Sequence, residues 1–346
     1  MGVVKLFIVD DSAIVRQTIS KLVEDEADIE LIGVAADPIF AMKKFKTTGY
    51  PDVLILDIEM PRMDGITFLK QLMKEHPIAT IICSSVAKSG SQQAIEALHS
   101  GAVELMEKPN VQTKLFLEQS KTALILSIKA ASKAKLKKVH HKESPKSTHI
   151  EKKSVPLAGG KKIIAIGSST GGVQVLEKIL TALPSTTAPI LITQHMPAGF
   201  TASLAKRLDT ISNVYIKEAE HNDEVKSSTV YIAPGNKHMT IKRVGLKYII
   251  NIKDGPKVSH HRPSVDVLFR SFIYEVGKNA TAIILTGMGS DGARGMKELH
   301  TIGAKTYAQN EESCTVYGMP NEAVKLGGVT HSLSIAEITK LIVSVH

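Results

Sequence analysis

The sequence predicts two α/β domains, each a doubly wound parallel sheet, joined by a flexible linker. Three observations point that way. The chain has 346 residues, 43% hydrophobic and 22% charged, an ordinary globular composition at about twice the length of one average domain. Short apolar, β-rich runs alternate with longer stretches of helical period in both halves, which is the pattern of βα units. Between the halves the composition shifts to Lys, His, Ser, Thr and Pro, with too few large apolar residues to order itself.

In the first half, strands are expected at Lys5–Val9, Glu30–Val34, Val53–Leu56, Thr80–Cys83 and Val103–Met106. Pro61, Asp64-Gly65, Pro77 and Ser100-Gly101 fall where helices should start or stop. A last helix from about Thr113 to Ala131 places Leu115, Leu117, Ala123, Leu124, Leu126 and Ile128 among polar positions. The pattern restarts with a strand at Lys162–Gly167, a glycine-rich turn, a helix through Val173–Leu183 and a strand at Ile190–Thr193. Further strands are expected at Val214–Lys217, Thr229–Ala233, Thr281–Leu285 and Lys305–Ala308, with Met239–Arg243 and Lys247–Ile252 forming an inserted β-hairpin. The predicted division is residues 1–127, a Lys-rich linker at 128–160, and residues 161–346.

The net charge is +9. Between Lys129 and Lys162 lie 11 lysines and 2 glutamates, so this segment accounts for the whole excess and the flanking regions together are neutral. The charge is therefore no argument for a nucleic-acid partner. Cys83 and Cys314 fall in different domains, which excludes a disulfide scaffold and fits a reducing compartment. With neither a signal-peptide pattern nor an apolar run of about twenty residues, the chain is expected to be soluble and cytoplasmic.

In an open parallel sheet, functional groups gather at the carboxyl ends of the strands. In the first domain Asp10 and Asp11 end the first strand, Asp57 the third, Ser84-Ser85 the fourth, and Lys108-Pro109 follow the fifth. Three convergent carboxylates repel one another unless a divalent cation sits between them, and hard oxygen ligands suit Mg²⁺. Lys108 adds a point charge for a phosphoryl oxygen. A carboxylate beside both is equipped to attack a phosphoryl group and hold the acyl phosphate.

The segments "FIVDDSAIVR", "DVLILDIEMPRMDG", "IICSS" and "EKP" resemble a response-regulator receiver domain over about residues 1–127. That resemblance implies a flavodoxin-like fold with Asp57 as phospho-acceptor. Asp10 and Asp11 become Mg²⁺-binding acids together with Asp57, and Glu59 a backbone-carbonyl ligand. Ser84 becomes the switch hydroxyl and Lys108 the phosphate-pairing lysine. The sequence departs from the pattern at Leu105, where receivers often carry a Phe or Tyr that rotates on activation.

In the second domain Gly167-Ser168-Ser169-Thr170-Gly171-Gly172 joins a strand to a helix and contains G-x-S-x-G with Ser169 at its centre. Such a turn lifts a hydroxyl out of the sheet, and the following helix offers N–H groups to an oxyanion. A phosphate or dinucleotide loop is the competing reading, but the P-loop Gly-Lys-Ser/Thr is missing. The next strand also ends in Gln194-His195 rather than in the acid a dinucleotide fold uses. His195 should emerge beside Ser169, and the strand Thr281–Leu285 runs into a glycine-rich turn whose only acid is Asp291. Alone, Asp291 reads as an N-cap of the next helix. Together, Ser169, His195 and Asp291 make a nucleophile, a base and an orienter.

The chain order Ser, His, Asp differs from the Ser, Asp, His of α/β-hydrolases. With "IGSSTGG", "ITQHMPAGFT", "YIAPGNKHM", "HHRPSVDVLF" and "LTGMGSDGARGM", it resembles the chemotaxis protein-glutamate methylesterases of the CheB type over roughly Lys161 to Val345. The resemblance implies a Rossmann-like catalytic domain with the added hairpin, and a phosphorylation-activated hydrolase. Its substrates would be γ-glutamyl methyl esters and particular glutamines on methyl-accepting chemoreceptors, with a chemotaxis histidine kinase as phosphodonor and no cofactor for the esterase reaction. Ser169, His195 and Asp291 match the family triad, while Thr170 and Met288 transfer more weakly to the oxyanion side of the cleft. The stretch His260-His261-Arg262-Pro263 lines the substrate cleft by resemblance; from the residues alone it is a loop preceding a helix. The alternative is a two-domain response regulator whose second domain is a non-catalytic ligand-binding or DNA-binding output module. No nucleic-acid partner is expected, because the second domain shows no helix-turn-helix pattern. Membrane association is expected only peripherally, at receptor arrays.

Overall fold

The computed structural model describes residues 2–85, 88–109, 114–136, 155–156 and 162–345. The chain divides into two compact units, Met1–Lys142 and Glu143–His346. Residues 137–154 and 157–161 of the Lys-rich linker lie outside the described residues.

The first unit alternates β1 (Val4–Val9), α1 (Ala13–Val23), β2 (Ile29–Ala35), α2 (Pro38–Thr48), β3 (Val53–Leu56), α3 (Gly65–Glu75), β4 (Ala79–Ser84), α4 (Lys88–His99), β5 (Glu104–Glu107) and α5 (Lys114–Ala131). Its five strands form one parallel sheet in the order β2-β1-β3-β4-β5, each within one residue of its predicted bounds. Uninterrupted apolar runs such as Leu6–Val9 and Val53–Leu56 are fully buried, as central strands covered on both faces require. Local chemistry starts the helices: Ser12, Asp37 and Asp64 accept from the backbone N–H groups of Val15, Phe40 and Thr67. α5 carries Ile128 and Ala131 into the same core as Leu6, Ile55 and Ile81, past the expected boundary at residue 127, because its apolar stripe continues for another turn. The strand order reverses between β1 and β3, so their carboxyl ends flank the crevice.

The second unit comprises β6 (Val155–Pro156), β7 (Ile163–Ser168), α6 (Gly172–Thr181), β8 (Ile190–Gln194), α7 (Phe200–Ile211), β9 (Tyr215–Glu218), β10 (Lys226–Ser227), β11 (Thr229–Ile232), β12 (His238–Val244), β13 (Lys247–Lys253), α8 (Val265–Glu275), β14 (Ala280–Ile284), α9 (Ala293–Thr301), β15 (Lys305–Gln309), α10 (Met319–Lys325), β16 (His331–Leu333) and α11 (Ile335–Ser344). Seven strands form a parallel sheet in the order β16-β15-β14-β7-β8-β11-β9. β7 is central, paired with β8 on one side and β14 on the other. The predicted hairpin is β12 and β13, antiparallel and closed at Gly245, whose φ of +60° favours glycine. It buries Met239, Ile241 and Ile250 in one core with Leu268 and Phe272 of α8. Sequence pattern missed the edge strand β16 and the two-residue antiparallel ladder of β6 with β10, both too short to show a period. Among the described residues, no helix is long and apolar enough to cross a membrane.

Candidate functional site

In the first unit the predicted acids converge. Asp10, Asp11 and Asp57 each offer a carboxylate oxygen, and these oxygens lie within 4.8 Å of one another. Asp10 and Asp57 are buried and Asp11 is exposed. Lys108 Nζ stands 2.7 Å from Asp57 Oδ2 and 3.1 Å from Asp10 Oδ2. The other oxygen of Asp57 accepts from the Ile58 N–H at 2.8 Å. Burial dominates both buried acids: it raises the Asp57 carboxyl to about 6 against the opposing pull of Lys108, with Asp10 adding to the rise, and it raises Asp10 as well. Burial pulls Lys108 down, but its bond to Asp57 and the charges of both acids carry it above the ordinary lysine range. The loop is shaped from behind: a Cβ at Gly65 would stand 2.1 Å from the Asp57 carbonyl oxygen, so Gly65 is a steric requirement, while Asp64 starts the helix. Arg16 Nη1 donates to the carbonyls of Asp10 and Asp11, a support the sequence reading missed. Ser84 is buried at the end of β4, Glu59 is exposed beside Asp57, and Leu105 is buried in β5.

In the second unit the turn after β7 brings Ser169 to the carboxyl edge, with its backbone pinned. Its N–H donates to the Thr286 carbonyl at 3.0 Å, and its own carbonyl accepts from Gly172 N at 2.7 Å and Gln194 Nε2 at 3.0 Å. The ladder pairs Ser168 with Gln194, and the His195 N–H donates to the Ser168 carbonyl at 3.0 Å. His195 therefore leaves β8 one residue beyond the serine turn's own partner. Gly287 closes the third side: a Cβ there would stand 2.6 Å from Ser169 Cβ, and Met288 follows directly after this close approach. Thr170 is buried, and its carbonyl accepts from Thr286 Oγ1 at 3.0 Å.

His195 Nε2 lies 2.8 Å from Asp291 Oδ2. Asp291 does not cap α9, whose N-cap is Gly292. Its carboxylate instead receives the amino end of α8: Ser264 Oγ at 2.8 Å and Asp266 N at 3.0 Å on Oδ1, Val265 N at 2.7 Å on Oδ2. Burial pushes its carboxyl up, but the bond and charge of His195 with the α8 amides outweigh it and hold the group below the usual carboxylate range. An ionised carboxylate only accepts, so His195 Nε2 carries a hydrogen, and in the neutral imidazole Nδ1 presents the lone pair. Nδ1 is buried with no hydrogen-bond partner among the described residues. No hydrogen bond therefore joins Ser169 to His195 Nδ1, as is common in such sites without substrate.

Curated relatives cover nearly the whole chain. The protein-glutamate methylesterase/protein-glutamine glutaminase 3 of Shewanella oneidensis is 49% identical over 99% of both chains. Its namesake in Geobacter metallireducens is 47% identical over 98% of both. A family model described as CheB methylesterase matches residues 164–342, and one described as response regulator receiver domain matches residues 6–118. The chain belongs to the CheB methylesterase family. The crystal structure of the Thermotoga maritima CheB methylesterase catalytic domain is 38% identical, with a TM-score of 0.53, and covers 54% of this chain and 100% of that one.

Two residues at this CheB-family site, Gln194 and Ser264, escaped sequence reasoning, and a third, His261, was placed only as part of a stretch lining the cleft by resemblance. Gln194, reading only as "not an acid", is a buried clamp: Nε2 donates to the carbonyls of Ser169 and His195, both at 3.0 Å, and Oε1 accepts from Ser168 Oγ at 2.6 Å. Ser264 carried a visible signal, an N-cap serine before an apolar run, but its hydroxyl also serves Asp291. His261 stacks on His195. Removing the clamp leaves buried polar groups unpaired at about 1–3 kcal/mol each. Gln194→Leu is therefore expected to destabilise the second unit by on the order of 3 kcal/mol in chemical denaturation; a change below about 0.5 kcal/mol would mean that the carbonyls find other donors.

Proposed function

We propose that the chain is a phosphorylation-regulated protein-glutamate methylesterase and protein-glutamine glutaminase acting on chemoreceptors in chemotactic adaptation. The carrying observation is the buried His195–Asp291 pair with a bare Nδ1 at the strand end next to Ser169, in a chain 49% identical to a curated methylesterase/glutaminase. Ser169 Oγ attacks the ester carbonyl while His195 Nδ1 takes its proton, and Asp291 holds the resulting imidazolium at Nε2. The tetrahedral oxyanion forms beside the amino end of α6, with Thr170 and Met288 on its side of the cleft. His195 then protonates the departing methoxide. Water attacks the glutamyl-serine ester with His195 again as base, returning the proton to Ser169 and leaving a carboxylate and methanol. Deamidation runs through the same acyl-enzyme with ammonia as the leaving group. Fluorophosphonate labelling at Ser169 together with methanol release tests this; a chain that releases methanol but labels elsewhere defeats the assignment of Ser169.

The first unit is the regulatory receiver, with Asp57 as acceptor from a chemotaxis histidine kinase. Asp10, Asp11 and Asp57 suit Mg²⁺: the donors are hard, they cluster, and burial makes their unneutralised charge costly. Mg²⁺ there would neutralise phosphoryl oxygens. Lys108 pairs the incoming phosphoryl group, Ser84 donates its hydroxyl hydrogen to it on switching, and the Glu59 carbonyl would be a further ligand for Mg²⁺. A phosphodonor is expected to raise esterase turnover of the parent but not of Asp57→Asn; equal stimulation of both removes Asp57 from the switch.

The raised Asp57 carboxyl makes a second prediction. Its folded value, about 6, lies above the ordinary 3.8, so the stability it contributes is full below about pH 4 and is lost as the pH rises through about 6. Mg²⁺ is then expected to raise the melting temperature more at about pH 7.5 than at about pH 5.5. Asp11→Asn, which leaves both buried acids in place, should shrink that shift. An equal shift in parent and variant would place the cation elsewhere.

A further inference from the structure

One short segment, Val258 to Asp266, engages both members of the His195–Asp291 pair. Its end supplies Ser264 Oγ and two backbone N–H groups to Asp291. Its beginning lays the His261 ring on the ring of His195, with centroids 3.7 Å apart and planes 7° from parallel.

The turn that delivers His261 is held in an uncommon conformation. Val258 and His261 exchange both backbone hydrogen bonds, at 3.0 and 2.9 Å. The two residues between them, Ser259 with φ +50° and His260 with φ +68°, both occupy the left-handed region without being glycine. Such residues persist where the surroundings over-determine them, commonly at functional sites. Arg262 supplies part of that restraint, donating to the Gly255 carbonyl and the Asn236 side chain.

The geometry points to His261 as a positioning residue for the esterase reaction: its flat ring fixes the plane of His195, so that Nδ1 keeps one direction throughout the proton transfers. A single hydrogen bond from Nε2 to Asp291 leaves the imidazole free to twist about that bond. A parallel stack removes this freedom and lays a polarisable face against the imidazolium as it forms. The stacked ring is neutral. Burial lowers His261 well below the ordinary imidazole range, the charges of His195, His260 and Lys257 act in the same direction, and Asp291 opposes them. His261 therefore adds no positive charge beside the imidazolium.

This inference rests on the esterase reading above. Its test compares full-length parent, His261→Phe and His261→Leu for methanol release from membranes carrying methylated chemoreceptors, with the downfield ¹H signal of the His195 Nε2 hydrogen as an independent readout. His261→Leu fills the space without a flat face and is expected to lower kcat about 100-fold with KM little changed, the scale of a misplaced catalytic group. Its Nε2 signal should broaden. His261→Phe keeps the stack and should retain kcat within about fivefold and the pH midpoint of the acid limb. If His261→Leu fails to fold, His261→Gln, also without a flat ring, takes its place. Parent-like kcat in the leucine variant overturns the inference, as does a phenylalanine variant as slow as the leucine one, which would make a ring nitrogen the essential group. A parent that releases no methanol defeats the esterase reading instead, and the Nε2 signal still reports whether His261 orders His195.

Discussion

Ser169→Ala is expected to leave a folded protein whose methanol release falls by on the order of 10⁶-fold in kcat, the scale seen when a hydrolase loses its nucleophile. Folding should survive because the serine turn is held by backbone: the Ser169 N–H on Thr286, and its carbonyl under Gly172 and Gln194. Removing one hydroxyl from a site that is 6% exposed leaves these bonds untouched, so the stability change should stay within about 1 kcal/mol. The neighbouring hydroxyl is the control. Ser168 Oγ is committed to Gln194 at 2.6 Å and points away from any role as nucleophile, so Ser168→Ala should keep most of the activity. Methanol release, fluorophosphonate labelling and thermal melting of the three proteins decide the matter. Near-parental turnover in Ser169→Ala, or its loss in Ser168→Ala alone, would move the nucleophile.

What could be read in advance depended on how local the cause was. Central strands announce themselves as unbroken apolar runs, such as Val53–Leu56 and the Ile163–Ile166 run of β7, and parallel topology then forces the residues after them to one edge. Asp10, Asp57, Ser169 and His195 were legible for that reason. Asp291 was legible as a member of the site but not in its mode of support. Local chemistry makes it the N-cap of α9, whereas it serves the start of α8, about 26 residues earlier in the chain. The stack of His261 on His195 was hidden because the turn presenting it uses Ser259 and His260 at positive φ, where turn signals look for glycine or asparagine. Gln194 was hidden because a side-chain amide has no characteristic spacing; only the fold brings the carbonyls of Ser169 and His195 to one point. The orientation of His195, with Nε2 and not Nδ1 toward the acid, depends on the approach of β8 to the amino end of α8 and has no trace in sequence.

That orientation gives Asp291→Asn a sharp expected outcome. The carboxylate accepts four hydrogen bonds, two on each oxygen: Ser264 Oγ and Asp266 N on one, His195 Nε2 and Val265 N on the other. An amide offers one accepting oxygen and one donating NH₂, so either rotamer sets a donor against two donors. With the NH₂ toward His195, Nε2 must become the acceptor and the ring hydrogen moves to Nδ1, where it blocks uptake of the Ser169 proton; the corresponding tautomer error costs on the order of 10⁴-fold in kcat. With the NH₂ toward Ser264, the hydroxyl can rotate to accept, but the Asp266 N–H is left facing a donor at about 1–3 kcal/mol. The loss should therefore appear in kcat, in stability, or in both, according to the rotamer adopted. A pH series separates the two. The parent carboxyl lies below its ordinary value, so the stability it contributes is present above about pH 4 and is lost as the pH falls through the folded value. Asp291→Asn should lack that part of the acid limb of the melting curve. Turnover within about tenfold of the parent, together with an unchanged acid limb, would show that the carboxylate neither orients His195 nor anchors α8.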